Sequence, residues 1–144
     1  MRLTLILPLV LMTSTITLPA LANTCSIDIN AVNTRIDQMG AFYDMVVSDI
    51  TCDTTAPNTI PARQMICDSA TSGDMVLFQM ERLDTMAWVS IAESATGEEM
   101  DPENPLLDGP FITARDYCKD EACLCETLIQ HTNDSLGGTS PYLQ

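Results

Sequence analysis

The chain has 144 residues, six cysteines and a formal net charge of −14, with 20 acidic side chains against six lysines and arginines. That length supports one sizeable core and leaves no room for a second domain. The acidity makes nucleic acid and anionic membrane poor partners and a cationic protein a good one, although acidity also serves solubility alone.

Residues 1–22 read as an export signal. Arg2 gives a positive start, Leu3 to Met12 is a short apolar run, and Ala20-Leu21-Ala22 is a small-residue cleavage site. The run is too short, and too soon followed by threonines, for a membrane anchor. The mature protein is therefore expected to be periplasmic or secreted, with no integral membrane segment after cleavage. The excised piece carries Arg2 and no acid, so what remains is more acidic still. Cys25, Cys52, Cys67, Cys118, Cys123 and Cys125 all lie beyond the cleavage point. An even number of cysteines behind an export signal reads as disulfides in an oxidising compartment, with many pairings open.

Ile29, Val32, Ile36, Met39, Tyr43, Val46 and Ile50 recur at spacings of three and four. They predict an amphipathic helix, weakened at Gly40 and too short for a long coiled coil. Residues 52–60 form a polar turn. Thr59 is placed to cap a short helix with Pro61 in its first turn, carrying Met65, Ile66 and Cys67. Ser72-Gly73-Asp74 opens a third helix with the stripe Val76, Met80, Leu83, Ala87 and Ile91, Trp88 beside it and Gly97 as its stop.

Residues 98–110 gather Glu98, Glu99, Asp101, Glu103 and Asp108 among Pro102, Pro105, Gly109 and Pro110, the composition of a loop. Met100, Leu106 and Leu107 are its large apolar residues. Thr113 and Asp116 have the spacing of a capping box for the last helical region. The apolar set Ala122, Cys125, Leu128 or Ile129, and Thr132 continues to Leu136. Gly137-Gly138 ends it, and residues 137–144 are expected to be a mobile tail. No segment shows sustained β alternation. The expected fold is all-α: a small disulfide-stapled bundle of about four helices over residues 23–136, with one long acidic loop.

Cys118 and Cys123 set a constraint. Across an unbroken helix their separation would rise about 7.5 Å, while a disulfide wants its Cα atoms within about 7 Å. Either the chain breaks between them or they pair elsewhere.

From Cys52 onward the landmarks are Cys52, Pro61, Ile66-Cys67, a helix ending near Trp88, Phe111, Arg115, Cys118 and Cys123-Leu124. This order resembles the LprI-type lysozyme-inhibitor family of small exported bacterial domains, over residues 50–136. The chain departs from that pattern at Arg63, where the family carries an acid, and at Phe111, where it carries Trp. It departs again at Leu128 and His131, where the family has Tyr and Arg. The Cys25 segment and Cys125 lie outside the pattern. The resemblance implies bridges Cys52–Cys67 and Cys118–Cys123, leaving Cys25 and Cys125 to staple the added helix to the last one. It fits a chain break at Lys119-Asp120-Glu121 with Asp120 capping a new helix. It also implies that the protein binds a cationic lysozyme-type muramidase without catalysis. The alternative is a non-catalytic structural or adaptor domain of the bacterial cell envelope.

The remaining candidates are individual residues. Cys123-Leu124-Cys125 has the form of a soft metal or redox site. Yet Met75, Met80 and Met86 lie in a helix that needs apolar filler, and two structural half-cystines is the plainer reading, so no metal or cofactor is expected. His131 is the only histidine. A catalytic base needs a nucleophile or an orienting acid nearby. With only Asp134 one turn away, His131 reads as a surface or helix-terminal residue. No zinc pattern, phosphate loop or nucleophile elbow is present in the sequence, so no enzyme is expected. Arg115 reads as structural, tying the last helices to carboxylates such as Glu81 or Asp84, with Phe111 and Trp88 as structural aromatics. The contact surface is assigned to Glu98, Glu99, Asp101, Glu103, Leu106, Leu107 and Asp108. There the acids attract at long range and the leucines anchor. A calcium site through Asp101 and Glu103 lacks the EF-hand spacing.

Overall fold

Every regular element described is helical. The computed structural model describes residues 25–43, 48–53, 55–101, 104 and 106–143. The expected export signal, Val46 and Glu103 lie outside the described residues. The elements are α1 (Ile29–Tyr43), α2 (Pro61–Ser72), α3 (Val76–Thr96), α4 (Gly109–Tyr117) and α5 (Glu121–Leu136), followed by 3₁₀ turns at Gly137–Thr139 and Pro141–Leu143. Among the described residues no helix is long and apolar enough to cross a membrane.

The long α3 is the axis of the bundle, and α1, α2 and α5 all pack on it. Its first half meets Ala62 and Ile66 of α2 and Leu124, Cys125 and Leu128 of α5 around Leu77 and Met80. Its middle meets Val32, Ile36 and Met39 of α1 through Leu83 and Met86. Because α3 is covered on several sides, Val89 and Ala92 are buried off the expected stripe, whereas Ile91, assigned to that stripe, is 38% exposed.

Three local expectations are corrected. Ile50 continues the α1 seam in sequence but is not helical. The Ser48 hydroxyl before it donates to Glu81 at 2.8 Å and accepts from the Ile50 amide, which fixes an extended turn there. The N-cap position of α2 is Ile60, not Thr59, and it makes no side-chain cap bond. Gln64 reaches back instead, its Oε1 accepting from the Asn58 amide at 2.6 Å. The Thr113–Asp116 capping box does not form. Helix α4 starts earlier, capped by Asp108, whose carboxylate accepts from the Phe111 amide at 3.0 Å. Pro110 sits in the first turn, where its missing N–H is no loss. Thr113 lies inside the helix, donating to the Gly109 carbonyl.

The α2–α3 corner rests on Gly73 at φ 89°, in the left-handed region a side chain disfavours. Asp74 then accepts from the Val76 amide and from the Ser69 hydroxyl, which itself accepts from the Leu77 amide.

The bridges are Cys25–Cys125, Cys52–Cys67 and Cys118–Cys123, the same pairs that the family resemblance implies. Cys118 has extended backbone (φ −61°, ψ 134°), and Asp120 caps α5 by accepting from the Cys123 amide at 2.9 Å. The break brings the Cα atoms of Cys118 and Cys123 to 5.5 Å, within disulfide reach. In the chain-entropy picture the Cys25–Cys125 bridge, with a separation of 100, stabilises most, by about 4–5 kcal/mol.

The expected mobile tail is instead folded over residues 137–143. Ser140 is buried, Tyr142 packs against both parts of the core, and Arg35 of α1 donates to the Thr139 hydroxyl. Two glycines end α5 without freeing the chain, because the apolar Tyr142 ring gives the last turns something to bury.

Candidate functional site

Arg115, on α4, is 1% exposed and lies at the centre of a charge network. Its Nη1 donates to Asp49 Oδ1 at 2.8 Å and to Glu81 Oε1 at 2.7 Å. Its Nη2 donates to Asp49 Oδ2 and Asp116 Oδ1, each at 3.0 Å. Arg63 of α2 braces the same acids, with Nη2 at 2.8 Å from Asp49 and 2.7 Å from Asp116. Two guanidiniums thus hold three carboxylates contributed by α3, α4 and the 48–50 turn. Planar, fork-shaped donors suit this bidentate sharing.

Burial works against the charge of Arg115, but Asp49, Glu81 and Asp116 outweigh it and hold the proton more firmly than usual. Burial also raises the Asp49 carboxyl, yet the hydrogen bond and charge of Arg115, with Arg63 behind, bring it below the usual range. Glu81 goes the other way. Burial pushes it up to about 7, with Arg115 opposing and Asp84 assisting. Its Oε2 is buried with no hydrogen-bond partner among the described residues, so the ionised form is poorly solvated.

A second cluster adjoins the first. His131 of α5 sets Nδ1 at 2.9 Å from Asp84 and Nε2 at 3.3 Å from Asp108. With both nitrogens facing carboxylates, the geometry favours the protonated, two-donor form. Burial lowers its pKa, but Asp84 and Asp108 more than offset this and raise it. Burial raises Asp84, which His131 and the Thr132 hydroxyl, at 2.8 Å, draw partly back. Phe111 stacks on His131 with centroids 3.9 Å apart and planes within 9°, and the Arg115 guanidinium lies 5.7 Å from the Phe111 centroid.

Over these clusters runs the acidic loop. Trp88 Nε1 donates to the Leu106 carbonyl at 2.9 Å, and Glu93 accepts from the Met100 amide. Leu106, Leu107, Trp88 and Phe111 enclose a cavity of about 20 Å³ that reaches Glu81 and Asp84, room for one water. Leu106 and Leu107 are themselves 53% and 45% exposed. Glu98, Glu99 and Asp101 are exposed. Beyond the loop, α4 and α5 border an open groove of about 500 Å³.

The contact residues expected from sequence therefore divide. Glu98, Glu99, Asp101, Leu106 and Leu107 are at the surface. Glu103 lies outside the described residues. Asp108 is committed to the α4 cap and to His131. Arg115 does reach Glu81, but Asp84, its other expected partner, belongs to His131. The reading of His131 as a surface residue beside Asp134 is corrected: the ring is largely buried, and Asp134 pairs with Gln130. The C-x-C cysteines sit in two separate bridges. Asp49 and Arg63 were missed as network members. Their signal was faint: Glu81 and Asp84 fall on the buried side of an apolar helix, which demands cations from elsewhere.

Comparison with family models, curated proteins and solved structures finds no match to this chain.

Proposed function

We propose that this chain is an exported binding protein for a cationic protein of the lysozyme-type muramidase class, acting without catalysis. The observation that carries the reading is the exposed Leu106-Leu107 pair, tethered through Trp88 beside exposed Glu98, Glu99 and Asp101. An apolar pair held out to solvent within an acidic stretch of chain suits a partner of opposite charge. The interior supports the same reading. Among the described residues only Arg63 and Arg115, of the lysines and arginines, form ion pairs with carboxylates, and all those acids are internal. Glu98 and Glu99 are exposed, have no such counter-charge among the described residues and project their field outward. Three disulfides with no free thiol among the described residues suit an oxidising periplasmic or extracellular setting.

The test is an activity assay of a c-type lysozyme with the mature protein at low and moderate salt. Inhibition is expected, weakening as salt screens the attraction. No inhibition at either ionic strength removes the muramidase reading.

A further inference from the structure

The groove between α4 and α5 is a second surface that sets apolar residues beside acids, and it is concave. Phe111 and Ala114 form its apolar side, Glu126, Gln130 and Asp134 line α5, and Asp108 stands at one end. No lysine or arginine lines it. His131 is the one basic side chain lining it, and both its nitrogens face Asp84 and Asp108, so it offers no donor outward. Glu126 and Asp134 are exposed, and among the described residues neither has an ion pair, Asp134 accepting only from the Gln130 amide.

The two free acids are about 12 Å apart along the α5 axis. Residues i and i+4 of an extended chain are about 13 Å apart. A single divalent ion cannot bridge that span, whereas a peptide can. We infer that the groove takes an extended basic segment of the partner protein. Its two basic side chains, at positions i and i+4, meet Glu126 and Asp134, and the apolar residue midway between them rests on Phe111 and Ala114. The partner class rests on the proposed function. The groove as a site for a basic segment rests on its own lining.

The experiment titrates isotope-labelled mature protein with the peptide acetyl-Arg-Ala-Leu-Ala-Arg-amide at low salt and follows amide shifts by NMR. Shifts concentrated at Ala114, Glu126, Gln130 and Asp134 are expected. Glu126→Gln with Asp134→Gln should weaken the peptide about tenfold and leave the melting temperature unchanged, since both side chains are exposed. Shifts centred on residues 98–101, shifts spread evenly, no shifts at all, or an unaffected double variant overturn the groove. If the peptide binds there but lysozyme is not inhibited, only the muramidase reading falls. If lysozyme is inhibited equally by the double variant, only the groove falls.

Discussion

The carboxylates around Arg115 and those of the 98–101 stretch are the same chemical groups in opposite situations. Asp49, Glu81 and Asp116 are enclosed, each within 3.0 Å of a guanidinium nitrogen. Glu98 and Glu99 are exposed and unpaired by any described lysine or arginine. The first set fixes how α2, α3 and α4 meet. The second contributes little to the fold and leaves its charge available to a partner. Net charge alone does not separate these roles. The position of an acid relative to the apolar stripe does.

The contrast breaks most visibly at Arg115. Arg115→Met leaves buried Glu81 with no guanidinium and Asp49 and Asp116 with Arg63 alone, and is expected to remove about 3–5 kcal/mol of stability, read from the urea midpoint. An unchanged midpoint would mean the network does not hold the helices.

The next largest effect is on pH dependence. Folded Glu81 keeps its proton up to about pH 7, whereas its ordinary value is 4.5. Between those values the folded state binds more protons than the unfolded chain, so stability falls as pH rises. The shift corresponds to about 3 kcal/mol. His131 acts in the same direction. Its raised pKa contributes fully below its ordinary 6.5, and the contribution is lost as pH rises through the folded value. Asp49 supplies the acid limb, because its lowered pKa contributes above 3.8 and is lost as pH falls through its folded value. Denaturation midpoints from pH 4.5 to 8 should therefore decline, and Glu81→Gln should flatten much of that decline. An equal slope in the variant would place the titration elsewhere.

The smallest effect is expected at the surface. Glu98→Gln with Glu99→Gln should change stability by no more than about 0.5 kcal/mol. A larger loss in thermal unfolding would mean these acids belong to the fold.

Much of the fold was legible because it follows from periodicity and punctuation. The stripe from Val76 to Ala87 and Gly97 as a stop depend on local rules, whereas the spacing of Cys118 and Cys123 left a break or other pairings open, and the break at Lys119-Asp120-Glu121 is what the family resemblance implies. The errors arose where distant residues override local ones. Ser48 and Asp49 leave the α1 pattern to serve Glu81 and Arg115. Asp116 looked like the last member of a capping box, but two arginines claim it. Tyr142 turns a glycine-led tail into a packed end. At the candidate site, the loop acids and leucines were visible as composition, while the Asp84–His131–Asp108 arrangement joins three elements and has no sequence period. Arg63, a departure from the family pattern, becomes intelligible only beside Asp49 and Asp116.

The most direct measurement is the association rate of mature protein with a c-type lysozyme, by stopped flow from low to moderate ionic strength, alongside the Glu98→Gln, Glu99→Gln variant. A fast rate that drops steeply with salt, and is slower in the variant at low salt, is the expected result. No association at low salt, or a rate indifferent to both salt and the two substitutions, contradicts an outward-facing acidic surface built to meet a cationic partner.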